Sequence, residues 1–510
     1  MTSKKQSLLR KTGWSAAGTF SDLFCRLLAG IVIARMLGRE GTGQIAFVVW
    51  MVEMVHMAAT VGLPNALTQF TAELSGQQAS GAALGLVRWA FKRYAVTLVA
   101  GGVVAVLWTR LWQAGTNMTG WEWPVLLLMT ARCLAIFAQA CYKGRQRFDV
   151  LARVTFWSGP LLLAGVGVGA RLGGARAALG GYILGSAVFA LLNIAALYGT
   201  SPAGEPERPL VNRFWKYAIY TWLAAVVSAF VWSRMELYFI ERYRGAEEVG
   251  LYTVALALSQ LAAQGPLLLV GALLPHFAEL AGRGDAEAIR RLYAQATRLM
   301  ALLLFPACAI GAALCPLLVP LLYGREFAAA IPTAMIVMVS AMLNFAAPGS
   351  ALIYAMERSR FIFVGGLVGA ILMCLGCDLL VPRWGQVGAA CMRLFGQSSM
   401  IVLGTIYIYY VLKAPPPLQA IGRVFLASFA GATAPILAYV ANCELTVMLI
   451  LPVFGLAVYI LVLRWLRAVS LEDAQVLVRV LSVAPTALRN RVFNVMRWIA
   501  CDRENRLYMS

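Results

Sequence analysis

The sequence predicts an all-α polytopic membrane protein with about 14 transmembrane helices. Two observations predict this fold class. Of the 510 residues, 61% are hydrophobic and only 13% are charged, whereas a soluble protein carries about 25% charged residues. Apolar runs long enough to cross a bilayer also recur along the whole chain. Lipid is therefore the expected solvent for most of the protein surface.

The predicted spans follow these apolar runs. They cover residues 14–37, 43–66, 94–112, 124–142, 154–172, 177–199, 214–240, 249–274, 296–320, 328–354, 361–381, 387–410, 418–440 and 445–466. The first run is too long for the apolar core of a cleaved signal peptide, and we expect it to remain as the first span.

The distribution of positive charge predicts the topology. With the N-terminus inside, most of the 43 Lys and Arg residues fall in cytoplasmic segments, and this bias places both termini in the cytoplasm. The formal net charge of +20 is then explained by anionic lipid headgroups as partners. No loop alternates basic and aromatic residues as a nucleic-acid platform does, so no nucleic acid is expected.

A weak internal repeat divides the chain into halves. In the first half, the Gly-rich segment Gly38–Gly43 is predicted to be a tight turn between two spans, and Gly62–Asn65 to bend the second span before Phe70-Thr-Ala-Glu-Leu74. In the second half, Arg244–Gly250 is again a polar Gly turn, and His276-Phe-Ala-Glu-Leu280 follows it. Such a repeat in an apolar chain predicts an internal duplication, with a site between the halves.

Charged side chains inside the spans are the candidate functional residues. A charge at the centre of a bilayer costs at least about 2.5–3.5 kcal/mol, so it must face protein or water. The basic residues of this kind are Arg26, Arg132, Arg234 and Arg393, and the acidic ones are Asp22, Glu53, Glu236 and Asp378, with His56 one turn from Glu53. Because the Arg residues are split between the halves, we predict a basic cavity that holds an anion.

Purely structural roles are alternatives in the first half. Asp22 and Arg26 are four residues apart on one helix face, so they either neutralise each other or serve the site. Glu53 and His56 are either a satisfied polar pair within the bundle or groups that couple transport to a proton.

The other three arginines differ in their neighbours. Arg234 and Glu236 are two residues apart and do not face each other on a helix, so both either snorkel to the outer interface or face the cavity. Arg132 and Arg393 have no acid three or four residues away on their own helices. This favours a ligand-binding role for these two.

The sequence shows no signature of catalysis. It contains no Walker A, HExxH or GxSxG motif, and its external loops are too short for a catalytic domain. The pair Cys374 and Cys377 has CxxC spacing, but no second Cys pair or His accompanies it. We therefore expect no enzyme activity, no metal and no cofactor.

Seven short motifs carry a resemblance to a known family. They are Thr12–Ala16, Ile33–Gly43, Gly62–Ala66, Ser233–Glu236, Glu248–Tyr252, Leu274-Pro275 and Tyr323–Pro332. In order and spacing the chain resembles, over roughly residues 10–440, the Wzx-type polysaccharide flippases of the multidrug/oligosaccharidyl-lipid/polysaccharide exporter superfamily. Glu236 stands where that family often has Asp.

The resemblance implies two six-helix lobes around a central cavity, plus two C-terminal helices. The implied domains are an N-terminal lobe over 1–200, a cytoplasmic linker over 201–212, a C-terminal lobe over 213–412 and extra helices over 413–466. The remaining segment, 467–510, alternates apolar residues with Arg and is expected to lie as an amphipathic tail on the inner membrane surface.

The resemblance also implies a function. The family moves undecaprenyl-diphosphate-linked oligosaccharides across the bacterial inner membrane by alternating access, for O-antigen, capsule or exopolysaccharide assembly. Membrane lipids and the polymerase and chain-length proteins of the same pathway are the implied partners. Arg26, Arg132, Arg234 and Arg393 would bind the diphosphate or sugar acids, and Asp22, Glu53, His56 and Glu236 would couple an ion or proton.

Three other functions stay open at this stage. A lipid II-type flippase or a multidrug/cation antiporter would use the same fold, although an exporter of cations should have more acids than Arg within its spans. A membrane scaffold for glycosyltransferases would need no charge in the bilayer at all.

Overall fold

The computed structural model describes residues 2–77, 79–113, 120–197, 204–270, 273–356, 358–440, 445–469, 494–495 and 498–499. Its α-helices are α1 (Thr2–Ala59), α2 (Leu63–Gly76), α3 (Ser80–Gln113), α4 (Glu122–Gly144), α5 (Phe148–Leu197), α6 (Arg208–Trp232), α7 (Glu236–Arg244), α8 (Ala246–Val270), α9 (Leu273–Gly282), α10 (Ala286–Tyr323), α11 (Ile331–Met342), α12 (Ala347–Ala355), α13 (Ser359–Tyr410), α14 (Leu418–Val440) and α15 (Leu445–Trp465). Two short 3₁₀ turns flank α11, and the described residues contain no strand.

The predicted all-α membrane fold is confirmed. Among the described residues, eight helices are long and apolar enough to cross a membrane, and the bent pair formed by α1 and α2 gives a ninth span. Three of the long helices, α1, α5 and α13, are each interrupted at a glycine with positive φ: Gly38, Gly174 and Gly385. Each therefore consists of two arms, which separate predicted spans that are adjacent in the sequence.

Glycine is needed at these breaks because its backbone enters the positive-φ region without steric cost. In α5, the two arms then pack closely enough that a Cβ on Gly165 would lie 2.7 Å from the Cα of Gly181. In α13, a Cβ on Gly376 would meet the Met392 sulfur at 2.1 Å. In both helices the arms thus lie against each other.

Three sequence predictions need correction. The predicted turn Gly38–Gly43 is a break at Gly38 alone, and helix resumes at Arg39. The third span, predicted over 94–112, belongs to a helix that begins at Ser80. A helix can continue beyond its apolar segment into charged residues. The seventh span, predicted over 214–240, is interrupted between Trp232 and Glu236, where Arg234 has φ of 63°.

The predicted bend of the second span is confirmed. Residues Thr60 to Gly62 leave the helix, Gly62 has φ of 70°, and α2 begins at Leu63 with Pro64 in its first turn. The two helices are bent by 59° at this break. Proline fits there because the first turn of a helix leaves its N–H groups unpaired in any case.

Clustering of the chain gives two compact units. The first comprises Met1–Ala229 and Ile240–Gly250. Within it α1 packs on α5, α4 packs on α5, and α2 and α3 pack on α4. The Gly-rich segments that form the sequence repeat also meet here, because Gly43 lies against the Ala246 carbonyl and Gly250 lies against the Arg39 carbonyl.

The second unit comprises Phe230–Phe239 and Leu251–Ser510. Its helix α10 packs on α11 and α14, α14 packs on α15, and α11 packs on α13. The Tyr459 hydroxyl on α15 donates a hydrogen bond to the Leu302 carbonyl on α10 (2.9 Å). The first unit runs past the predicted linker over 201–212 to Ala229, and the predicted lobe boundaries remain a prediction. Most of the predicted tail over 467–510 lies outside the described residues.

Candidate functional site

A polar cavity of about 620 Å³ lies inside the first unit, between α1, α4 and α5. Its lining includes a carboxylate, three cationic side chains and several neutral polar groups. These polar lining residues are Asp22, Arg26, Arg132, Gln139, Lys143, Thr155 and Ser186. A smaller pocket of about 20 Å³ shares Arg26, Arg132 and Ser186 with it and adds Glu53 and Tyr182. The size of the main cavity is that of a small-molecule binding site.

Helix α4 presents a polar stripe to this cavity. Arg132, Ala135, Gln139 and Lys143 are spaced three or four residues apart, which puts them on one helix face, and all four line the cavity. Other faces of α4 are buried through residues such as Cys133 and Phe137. The burial of these apolar residues fixes the rotation of α4 and so directs the polar stripe into the cavity.

Arg26 is paired on its own helix. Its Nε donates to Asp22 Oδ2 at 2.8 Å, one helical turn earlier. The Arg26 side chain remains 41% exposed, so the pair leaves much of the guanidinium open to the cavity. The alternative that Asp22 and Arg26 neutralise each other therefore accounts for one guanidinium nitrogen only.

Arg132 is paired across helices. Its Nη2 donates to Glu53 Oε1 on α1 at 2.9 Å. Arg132 thus has an acidic partner, which comes from α1 and not from its own helix. With Glu53 included, three cationic and two acidic side chains line the two neighbouring pockets, so the site carries an excess of positive charge.

His56 has a different partner from the one considered in the sequence. Its Nε2 lies 3.1 Å from the Tyr94 hydroxyl on α3, and that hydroxyl donates its proton to the Cys133 carbonyl at 2.9 Å. Since the hydroxyl proton is already used, His56 Nε2–H is the donor to Tyr94. His56 is buried and belongs to a bond network that joins α1, α3 and α4, whereas Glu53 pairs with Arg132.

A second charged cluster lies in the second unit at the break after α6. Glu236 is the first residue of α7 and is fully buried. Its Oε1 accepts from Arg393 Nη1 at 2.7 Å and from the Tyr252 hydroxyl at 3.1 Å. The other oxygen, Oε2, has no hydrogen-bond partner among the described residues. The alternative that Glu236 snorkels to the outer interface is therefore wrong.

The structure thus groups the predicted site residues into two clusters. Asp22, Arg26, Glu53 and Arg132 line the two neighbouring pockets of the first unit, and Glu236 and Arg393 form the buried pair of the second. Arg234 stands in the break itself, in a left-handed conformation. Sequence reasoning missed Gln139 and Lys143, although their spacing from Arg132 on one helix face could have indicated them.

Comparison with solved structures identifies the class of fold. The lipid II flippase MurJ in an inward closed conformation superposes with a TM-score of 0.70 at 13% identity, over 88% of this chain and 97% of that chain. An inward-facing MATE-family multidrug resistance transporter of the MOP superfamily gives a TM-score of 0.64 at 14% identity, over 77% of this chain and 95% of that chain. A third structure is a MOP-superfamily transporter from Pyrococcus furiosus whose binding pocket is described as having reverse polarity. It gives a TM-score of 0.58 at 13% identity, over 80% of this chain and 96% of that chain.

These likenesses define a multi-pass membrane protein with the fold of the MOP-superfamily transporters. A comparison of the sequence with models of protein families identifies the family of this chain. A family model for polysaccharide biosynthesis proteins matches residues 32–332, which is more than half of the chain, and the chain belongs to that family. A search of curated proteins finds no match.

Proposed function

We propose that the protein is a flippase that moves an undecaprenyl-diphosphate-linked oligosaccharide across the bacterial inner membrane by alternating access. The product serves the assembly of O-antigen, capsule or exopolysaccharide. The observation that carries the proposal is the cavity of the first unit, which combines the volume of a ligand site with an excess of positive charge. Membership of a polysaccharide biosynthesis family supports the class of substrate.

The arginine pairs suit an anionic ligand. A guanidinium group has five N–H donors in a planar fork, and Arg26 and Arg132 each commit one nitrogen to a carboxylate. The pairing holds each side chain in one orientation and leaves further donors for phosphate or carboxylate oxygens, which guanidinium groups bind bidentately. The cavity is therefore preorganised for an anion before the ligand arrives.

Asp22, Glu53, His56 and Glu236 are the proposed coupling residues. A substrate anion that binds an arginine competes with the carboxylate already there, and a carboxylate that loses its cationic partner takes up a proton or a cation more readily. The buried pair of Glu236 and Arg393 (2.7 Å) is the proposed counterpart in the second unit, where Arg393 and Arg234 complete the set of substrate-binding arginines.

The proposed setting follows from the charge bias of the loops. Both termini lie in the cytoplasm of a bacterium, and the protein is a multi-pass protein of the inner membrane. Its partners are membrane lipids, the lipid-linked oligosaccharide and the polymerase and chain-length proteins that use the product. The undecaprenyl tail stays in the bilayer while the sugars cross.

The test is flipping by arginine variants in lipid vesicles. We expect Arg132→Ala and Arg393→Ala each to reduce the flipping of undecaprenyl-diphosphate oligosaccharide at least about tenfold, because each removes a charge-assisted contact. Lys92→Ala on α3 is the matched control and keeps the wild-type rate, since Lys92 is exposed outside the cavity. Wild-type rates in both folded arginine variants would contradict the proposal.

A multidrug/cation antiporter is the second candidate. The observation that favours it is the presence of Asp22 and Glu53 beside the cavity, together with the fold shared with MATE-family transporters. The candidates differ in the sign of the ligand. Glu53→Gln weakens the binding of a cation but strengthens the binding of an anion, so ligand affinity in this one variant separates them.

A further inference from the structure

The cavity of the first unit has cationic groups at two separate positions along α4. Arg132 stands in the middle of α4 and Lys143 lies at its C-terminal end, and both line the same cavity. Eleven residues separate them in the sequence, which corresponds to about 16 Å along the helix axis. The two cationic side chains are therefore attached at different depths along the cavity wall.

The two positions differ in chemistry. Arg132 lies close to Arg26 across the shared small pocket, so the inner position offers two planar guanidinium forks that match the geometry of a carboxylate. The outer position offers the compact ammonium group of Lys143, which binds phosphate as a point charge. Lys143 also lies in the last turn of α4, at the end that the positive-inside bias assigns to the cytoplasm.

Neutral side chains, some polar and some apolar, line the rest of the cavity. Gln139 lies between Arg132 and Lys143 on the α4 stripe, and Thr155 and Ser186 face the same cavity from α5. Amide and hydroxyl groups both donate and accept hydrogen bonds, as sugar hydroxyls require. The separation of Arg132 and Lys143 along the helix axis, about 16 Å, is longer than one sugar ring. The space between them therefore fits a short saccharide chain.

We propose that this cavity selects an acidic oligosaccharide. The diphosphate binds at Lys143, neutral sugars lie along Gln139, and an acidic sugar beyond the first ring binds Arg26 and Arg132. This inference rests on the proposed function and specifies its substrate class. It also assigns specificity roles to Lys143 and Gln139.

The experiment uses the full-length protein and two synthetic undecaprenyl-diphosphate trisaccharides. The two lipids are identical except that the terminal sugar is glucuronic acid in one and glucose in the other. Binding is measured by native mass spectrometry in detergent, and flipping is measured in vesicles. The wild type is expected to bind the acidic lipid about tenfold more tightly than the neutral one, as a charge-assisted contact would give.

Two variants assign the positions. Glu53→Gln/Arg132→Gln removes one charge of each sign and keeps a neutral hydrogen bond between the helices, so the fold is preserved; it is expected to lose the preference for the acidic lipid. Lys143→Gln is expected to weaken the binding of both lipids by the same factor, because both carry the diphosphate. Lys92→Gln, exposed on α3, is the control and changes neither affinity.

Each outcome is decisive for one of the two proposals. If the wild type binds and flips both lipids equally, or if the double variant keeps the acidic preference, the acidic-sugar inference is wrong and the flippase proposal stands. If neither lipid is bound or flipped, the flippase proposal itself fails.

Discussion

At the scale of single residues, the charges in the bilayer occur mainly as arginine–carboxylate pairs whose surroundings differ. The pair of Arg132 and Glu53 borders a cavity, and its side chains are 27% and 46% exposed. The pair of Arg393 and Glu236 is 14% and 0% exposed. Solvent screens the first pair, so its loss costs little, whereas the loss of one partner of the second leaves a charge buried without compensation.

This difference predicts unequal effects of two matched variants on stability. Glu236→Gln leaves Arg393 buried without its counter-ion and should lower the free energy of unfolding by about 3–5 kcal/mol. Glu53→Gln should lower it by at most about 1 kcal/mol. Chemical denaturation in detergent, followed by tryptophan fluorescence, measures both values.

A double variant separates charge from packing at the same site. Glu236→Gln/Arg393→Met removes both charges and keeps an acceptor for the Tyr252 hydroxyl, so it should recover most of the stability that Glu236→Gln alone loses. If the double variant is as unstable as Glu236→Gln, burial of a lone charge is not the cause of the lost stability.

A second residue-scale prediction concerns ligand affinity. Glu53→Gln removes the carboxylate that shares Arg132 (2.9 Å), so the full charge of Arg132 becomes available to a ligand. We expect glucuronate, the acidic sugar assigned to this position, to bind this variant several-fold more tightly than the wild type, because hydrogen bonds to charged groups are the strong ones. Isothermal titration calorimetry in detergent checks this, and weaker binding would mean that Glu53 assists the anion.

The same residues show how much of the site the sequence contains. Arg26, Arg132, Arg234 and Arg393 are visible as charges in apolar runs because the cost of burying charge makes them exceptional. Their partners are less visible. Asp22 is one turn from Arg26 and can be paired by helical spacing, but Glu53 and Glu236 reach Arg132 and Arg393 from other helices, and only tertiary packing decides such pairs.

At the scale of helices, two glycines let α1 and the first turn of α8 approach each other within the first unit. A Cβ on Gly43 would lie 1.7 Å from the Ala246 carbonyl oxygen, and a Cβ on Gly250 would lie 2.1 Å from that of Arg39. Both obstacles are backbone atoms, which cannot rotate away. Glycine at both positions therefore lets the two backbones approach each other closely.

Alanine at this crossing should consequently be costly. Gly43→Ala must displace the first turn of α8 from α1 and is expected to destabilise the protein by about 1–3 kcal/mol, as overpacking does. Gly30→Ala on the first arm of α1 is the control, since a Cβ there meets nothing within 4 Å, and it should be neutral or stabilising. Thermal melting in detergent compares the two variants, and equal midpoints would contradict the crossing.

Some helix breaks can be predicted from the sequence and others cannot. The break at Gly62 is predictable because Gly and Pro occur together within three residues, and both have well-defined backbone effects. The break at Ser233–Met235 contains neither, and Arg234 adopts a left-handed conformation there that costs a non-glycine residue energy. The surrounding structure imposes this conformation, so hydropathy alone predicts an unbroken span.

At the scale of the whole molecule, composition and loop charge suffice to predict a polytopic helical protein, because a bilayer allows few other structures. The internal repeat indicates a duplication, and the Gly segments related by it contact each other in the first unit. The cavity between α1, α4 and α5 could not be predicted, since its walls come from helices distant in sequence.

The central claim is that this protein carries a lipid-linked oligosaccharide across the membrane. The most direct measurement is lipid analysis of a strain from which the protein is deleted, with the leaflet of each lipid assigned by its accessibility to a membrane-impermeant enzyme. We expect undecaprenyl-diphosphate oligosaccharide to accumulate on the cytoplasmic leaflet while the surface polymer is lost, and we expect the wild-type chain, but not Arg132→Ala, to restore both. Normal lipid pools and normal polymer, with new sensitivity to cationic drugs, would contradict it.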